Sequence, residues 1–186
     1  MMGQTIATIE WRALDRDGTD KCRLAKTPGG WMLIGHARFR DASGWAALDY
    51  VVRCDADWQT TSCDVTGTQG GGAVALRLTN ANGSWSLNDQ EQSQISGCTD
   101  VDLGFSPATN LMPLRRAPEV GRLDVRAAWL RLPGPMLDPL DQSYTRERGG
   151  YVHYTARQTA YEAHLAVDEH GFVTRYPGLW EQTHEA

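Results

Sequence analysis

Apolar and polar residues alternate along much of this chain. From Trp31 to Arg40, Trp31, Leu33, Gly35, Ala37 and Phe39 share one face, and His36, Arg38 and Arg40 the other. From Gly44 to Cys54 the apolar side carries Ala46, Leu48, Tyr50, Val52 and Cys54. Between Ala160 and Val167, Tyr161, Ala163, Leu165 and Val167 oppose Glu162 and His164. A period of two is the signature of a half-buried strand. Turn signals punctuate these runs: Asp17-Gly18, Pro28-Gly29-Gly30, Ser43-Gly44, Gly70-Gly71-Gly72 and Asn80 to Gly83. The stretch Asp89–Ser96 is polar and reads as a loop. Val120–Leu132 reads as a long strand, although its residues would also suit a helix stopped by Pro133. The whole pattern predicts a mainly β protein of about ten to twelve short strands, an antiparallel barrel or strongly curved sheet. No internal repeat or linker interrupts it, so residues 1–186 read as a single domain with a polar tail over 181–186.

At 186 residues the chain can bury one substantial core. A net charge of −5 argues against binding nucleic acid through phosphate contacts. It argues equally against docking on an anionic membrane. No run of about 18 apolar residues calls for integral membrane association. The N-terminus has neither a basic segment nor an apolar one, and a cytoplasmic location is the expectation. Cys22, Cys54, Cys63 and Cys98 form no CxxC pair and read as buried free thiols. The five histidines have no metal-ligand spacing, and His36 and His164 fall on polar faces. No metal or other cofactor is called for. Seven tryptophans imply a large aromatic core or an aromatic-lined cavity.

The chemistry concentrates between Gly97 and Arg116. Asp100 and Asp102 alternate with Val101 and Leu103, so both carboxylates lie on one face of a short strand, roughly 7 Å apart. Gly104 to Pro107 turns the chain, Asn110 sits in the turn region, and Arg115 and Arg116 lead out. The two acids could serve acid/base chemistry, or they could pair with the arginines. The arginines could hold an anionic or sugar-like head group, or serve as structural ion-pair partners. No GxSxG elbow and no phosphate-binding loop is present, and no catalytic residue is assigned.

Three long strings carry a family resemblance. They are DVDLGFSPATNLMPLRR at Asp100–Arg116, RAAWLRLPGPMLDPLDQSYTR at Arg126–Arg146 and VDEHGFVTRYPGLW at Val167–Trp180. Together they resemble the bacterial family labelled "putative glycolipid-binding", a domain of unknown function, over nearly the whole chain. The resemblance implies a curved antiparallel sheet or unclosed barrel like that of the periplasmic lipoprotein carriers. It implies one or two short helices over an apolar cavity, one of them around Pro107–Leu114, and a glycolipid-like ligand. Unlike those carriers, this sequence shows no export signal.

The leading expectation is a binding protein holding an apolar or glycolipid-like small molecule, with Asp100, Asp102, Asn110, Arg115, Arg116 and Trp129 as candidate contacts. The alternatives are a hydrolase or isomerase using Asp100 or Asp102, and a filled-barrel interaction domain without a ligand. The oligomeric state is not legible.

Overall fold

The computed structural model describes residues 3–183. The first eight strands are β1 (Gln4–Ala13), β2 (Gly18–Thr27), β3 (Gly30–Asp41), β4 (Gly44–Asp55), β5 (Thr60–Gln69), β6 (Gly72–Ala81), β7 (Ser84–Leu87) and β8 (Gln90–Glu91). A 3-10 turn at Ser93–Ile95 leads to β9 (Asp100–Leu103). A second 3-10 turn, Ala108–Asn110, runs into the short helix α1 (Leu111–Arg116). Then follow β10 (Gly121–Arg131), β11 (Met136–Arg146), β12 (Tyr151–Ala156), β13 (Tyr161–Val167), β14 (Val173–Tyr176) and β15 (Trp180–Gln182). The expected helix around Pro107–Leu114 is therefore present, and Gly121–Arg131 is a strand rather than a helix.

All 15 strands belong to one sheet, more than the ten to twelve expected. The strands not expected are β8, of two residues, and β15, of three. Such elements are too short to show a period. The polar stretch 89–96 holds β8 and the 3-10 turn, whose Ile95 is fully buried. The expected tail begins inside β15, since Trp11 pairs with Gln182 and Arg12 with Glu181. Residues 184–186, including His184, lie outside the described residues.

The strand order is β8-β7-β6-β5-β4-β3-β2-β1-β15-β14-β13-β12-β11-β10-β9. Every neighbouring pair is antiparallel except β9 with β10, where Asp100 sits opposite Ala127 and Leu103 opposite Leu130. The β6–β7 hairpin turns at Asn82-Gly83, both with positive φ, as the Asn-Gly pair predicts. The sheet curls until its ends meet without a closing ladder. Thr60 N–H donates to Thr99 O at 3.1 Å, Gly97 N–H to Gly83 O at 2.8 Å and Trp85 Nε1 to Cys98 O at 2.9 Å. These single bonds bridge an unclosed barrel.

The alternating residues behave as their period requires: Leu33, Ala37, Phe39, Leu48, Tyr50 and Val52 are buried, and Arg38 and Asp49 are exposed. The four cysteines are free and buried. Among the tryptophans, Trp11 and Trp85 are core residues, whereas Trp45 is exposed. The segment from Phe105 to Leu114 is buried throughout and fills the interior as a plug. Its Phe105 packs against Phe39 and Tyr50, with ring centroids 6.1 and 6.0 Å away.

Gly35 lies directly opposite Tyr50 on the neighbouring strand, and a methyl group there would overlap the Tyr50 ring. Gly35→Ala should therefore destabilise the protein by about 1–3 kcal/mol through overpacking, measured by urea unfolding. A neutral substitution would show that Tyr50 has room to move.

Candidate functional site

The strand β9 places its two carboxylates on one face, and the fold then gives them different partners. Asp100 is buried, and Arg116 grips it with both nitrogens: Nη1 to Oδ1 at 2.7 Å and Nη2 to Oδ2 at 2.6 Å. Thr99 Oγ1 donates to the same carboxylate at 3.0 Å. Arg116 Nη1 also donates to the backbone oxygen of Trp58 at 2.8 Å. Arg115 lies with its guanidinium 4.6 Å above the Trp58 ring and donates to His170 O at 3.3 Å. Trp58 itself stacks on Trp31 with centroids 4.3 Å apart. Its φ of 65° is a left-handed conformation that a bulky residue holds only when its surroundings enforce it.

Asp102 is only half-buried and accepts from Gln142 Nε2 at 2.7 Å. Gln142 Nε2 is also 2.9 Å from Tyr154 Oη, and the Tyr144 hydroxyl donates to Gln142 Oε1 at 3.4 Å. Asn110 Nδ2 donates to Tyr144 Oη at 2.8 Å. A continuous hydrogen-bonded chain thus joins Asn110, Tyr144, Gln142, Asp102 and Tyr154. Burial pushes the Asp102 carboxyl up to about 6, against the pull of the Gln142 bond and with a smaller push from the Asp100 charge. On the plug's other flank, Ser106 and the Tyr50 hydroxyl both donate to the buried carboxylate of Asp20. Burial pushes Asp20 up to about 7, although these two bonds pull it down.

A cavity of about 300 Å³ opens between the plug and the second half of the sheet. Asp102, Asn110 and Trp129 line it together, and the rings of Tyr154, Tyr161 and Tyr176 make a wall. Centroids of Tyr154 and Tyr176 are 5.8 Å apart, and those of Tyr161 and Tyr176 5.4 Å. Asp100, Arg115 and Arg116 do not touch the cavity. The structure therefore splits the six candidates into three that line a hollow and three that fasten the plug. Gln142 and the tyrosines were missed. Nothing local marks Gln142, but tyrosines recurring on successive late strands at 144, 154, 161 and 176 were a readable signal.

A larger depression of about 720 Å³ crosses the outer face of β1, β2, β3 and β15. Its charged groups are solvated or paired with each other, as in Lys21 with Glu10 at 3.6 Å. It lacks the aromatic wall and buried polar chain of the inner cavity, which is the better candidate. Among the described residues, no three His, Cys, Asp or Glu side chains cluster as metal ligands. No helix among them is long and apolar enough to cross a membrane.

A curved, unclosed antiparallel sheet with a buried plug and an aromatic hollow defines the class of protein. Residues 8–182 match the model of the family described as "Putative glycolipid-binding", and the chain belongs to that family. It is also similar to the crystal structure of a DUF1089 family protein from Pseudomonas aeruginosa, solved at 1.80 Å. That likeness has 28% sequence identity and a TM-score of 0.75, covering 98% of this chain and 96% of the other. No curated protein matches the chain.

Two outcomes are expected. Asp100→Ala leaves Arg116, only 17% exposed at its side chain, without its partner. It should cost about 3–5 kcal/mol in urea unfolding. For Asp102 the folded carboxyl holds its proton more tightly than the unfolded one, since its pKa rises from 3.8 to about 6. Its contribution to stability is complete below the unfolded value and is lost as pH climbs through about 6. Asp102→Asn should therefore unfold at higher urea than the wild type near pH 8, with the gain shrinking toward pH 4. A gain independent of pH would contradict that account.

Proposed function

We propose that this protein binds a lipid- or glycolipid-like amphiphile in the hollow between the plug and the second half of the sheet. The observation that carries this reading is the aromatic cavity itself, about 300 Å³ and edged by Asp102, Asn110 and Trp129. The family description supports a glycolipid as the ligand class. Each methylene removed from water against such a wall contributes ~0.8 kcal/mol. Ten would give roughly 8 kcal/mol before the cost of ordering the ligand. The volume lies at the low end for ligand sites, so the hollow takes one part of a long amphiphile. Asp102, Asn110 and Trp129 contact the ligand in this reading. Asp100, Arg115 and Arg116 hold the plug that shapes its floor.

A second reading rests on Asp102 alone. A cavity-lining carboxyl pushed up to about 6 is poised for general acid/base work near neutral pH. On that reading Asp102→Asn keeps ligand binding and abolishes turnover.

Native mass spectrometry of freshly purified protein, followed by organic extraction, tests the binding reading. A reproducible extra mass that extracts as a lipid is the expected result. Trp129→Ala should weaken binding of that lipid roughly three- to tenfold by removing one aromatic contact. A bare mass, unchanged after incubation with a panel of lipids and glycolipids, would defeat the proposal.

A further inference from the structure

Asp102 is a carboxylate without a countercharge at the edge of an aromatic hollow. Charged groups beside it come in pairs: Asp100 is closed by Arg116, and Asp138 by Arg131. Each pair adds no net charge. Asp102 has only the neutral amide of Gln142, on Oδ2. Among the described residues no lysine, arginine or histidine lines the hollow. Arg131, which does not line it, stacks 4.2 Å over the Trp129 ring, and its Nε is buried without a partner. That nitrogen is closed to anything in the hollow. Burial strips the Asp102 carboxylate of hydration that one amide only partly replaces, and pushes it up to about 6. It is still mostly ionised at neutral pH. A cation at this end would supply the partner that burial leaves missing.

The walls suit the same charge. Tyr154, Tyr161 and Tyr176 stand side by side with centroids 5.4 to 6.0 Å apart, and Trp129 and Trp180 also line the hollow. Aromatic faces are negative and attract an ammonium, more strongly where water is excluded. Arg131 over Trp129 is one such ring already holding a cation. Gln142 occupies Asp102 Oδ2, and Asn110 uses its Nδ2 on Tyr144. Among the described residues no bond is recorded to Asp102 Oδ1 or to Asn110 Oδ1. An ammonium carries three N–H donors and no acceptor, so it can serve both oxygens at once. A phosphate would bring acceptors to acceptors and a like charge to Asp102. An uncharged hydroxyl would leave the carboxylate's charge uncompensated.

We infer that the Asp102 end of the hollow takes an ammonium group, the positively charged head of the bound amphiphile. This rests on the amphiphile-binding reading above. Asp102 Oδ1 and Asn110 Oδ1 accept from the ammonium, and the tyrosine rings flank it.

Calorimetric titration of the full chain below the micellar range tests it with octylammonium, octyl β-glucoside, octyl phosphate and the head alone, methylammonium. Octylammonium should bind about tenfold more tightly than the glucoside or the phosphate. Its affinity should fall about tenfold from pH 8 to pH 5, as Asp102 takes up its proton. Of the other titratable groups facing Asp102, Asp100 is bound by Arg116, and burial pushes Tyr144, Tyr154 and Tyr176 up so that they stay neutral. Asp20 lies on the plug's other flank, and its titration persists in Asp102→Asn, which separates the two. Asp102→Asn should weaken octylammonium about tenfold, remove most of its pH dependence and leave the glucoside within about twofold. Near-UV circular dichroism checks that this variant keeps its fold. Glucoside or phosphate binding as tightly as octylammonium overturns the inference and leaves amphiphile binding standing. So does octylammonium binding that is unchanged in a folded Asp102→Asn protein, or independent of pH in the wild type. Methylammonium should bind more than about tenfold more weakly than octylammonium, for want of buried methylenes. If it binds equally well, the ammonium site stands and the amphiphile reading falls. Binding of none removes both.

Discussion

The ion pair between Asp100 and Arg116 is the constraint on which the other features depend. The strand β9 is the last of the sheet, only four residues long, and laddered on one side alone. An edge strand so short has little to hold it. Arg116 closes both nitrogens on Asp100 and reaches on to Trp58 O in the turn after β4. Three separate elements meet at one guanidinium: the sheet edge, the end of α1 and the turn that approaches the edge from the far side. Desolvating two charges is costly, and only geometry that uses several of the guanidinium's donors can offset it. Here that geometry is met, so the pair's value lies in register: it fixes where the plug ends.

The other end of the plug is fixed by a different device. Ser106 and Tyr50 converge on the buried carboxylate of Asp20, across separations of 86 and 30 residues in sequence. Burial raises this carboxyl to about 7 because the hydroxyl donors only partly replace its lost hydration. Tyr50 can reach it because Gly35, directly opposite, has no side chain in the way. Between these two anchors lies the segment that carries Pro107 and Asn110 to the cavity. The hollow is thus positioned by two buried polar groups on either side of it, and its floor is as rigid as they are.

Much of the fold was legible and much of the site was not, for the same reason. The long strands β3, β4 and β13 declare themselves through a period of two, because one face of each meets the core. The Asn82-Gly83 turn declares itself through backbone chemistry. Asp100 and Asp102 sharing a face follows from the pleat alone. Which of the two lies in an ion pair and which lines a cavity is decided by Arg116 and Gln142, sixteen and forty residues further along. No local pattern encodes those separations. The two shortest strands, β8 and β15, were missed because they exist only as partners of longer neighbours. Trp58 is similar: its left-handed backbone is imposed by Trp31 below and the two arginines above, and nothing around it in the chain announces it.

The two halves of the curved sheet also explain why the hollow is where it is. The first half turns inward large side chains, among them Trp11, Leu24, Leu33, Phe39, Leu48 and Tyr50. These belong to the same core as the plug's Phe105 and Met112. The second half offers Ala156 and Thr159 where it faces the plug, between rings on neighbouring strands. Short side chains recess the wall, and rings that cannot collapse into the recess keep it open. Tyr154 Oη is engaged by Gln142, and Tyr161 donates to Pro177 O at 2.6 Å. Those bonds set the ring orientations before anything arrives, which lowers the ordering cost of an incoming ligand. Hydrogen-bonded rings thus keep the hollow open, with the Asp102 carboxylate at its edge.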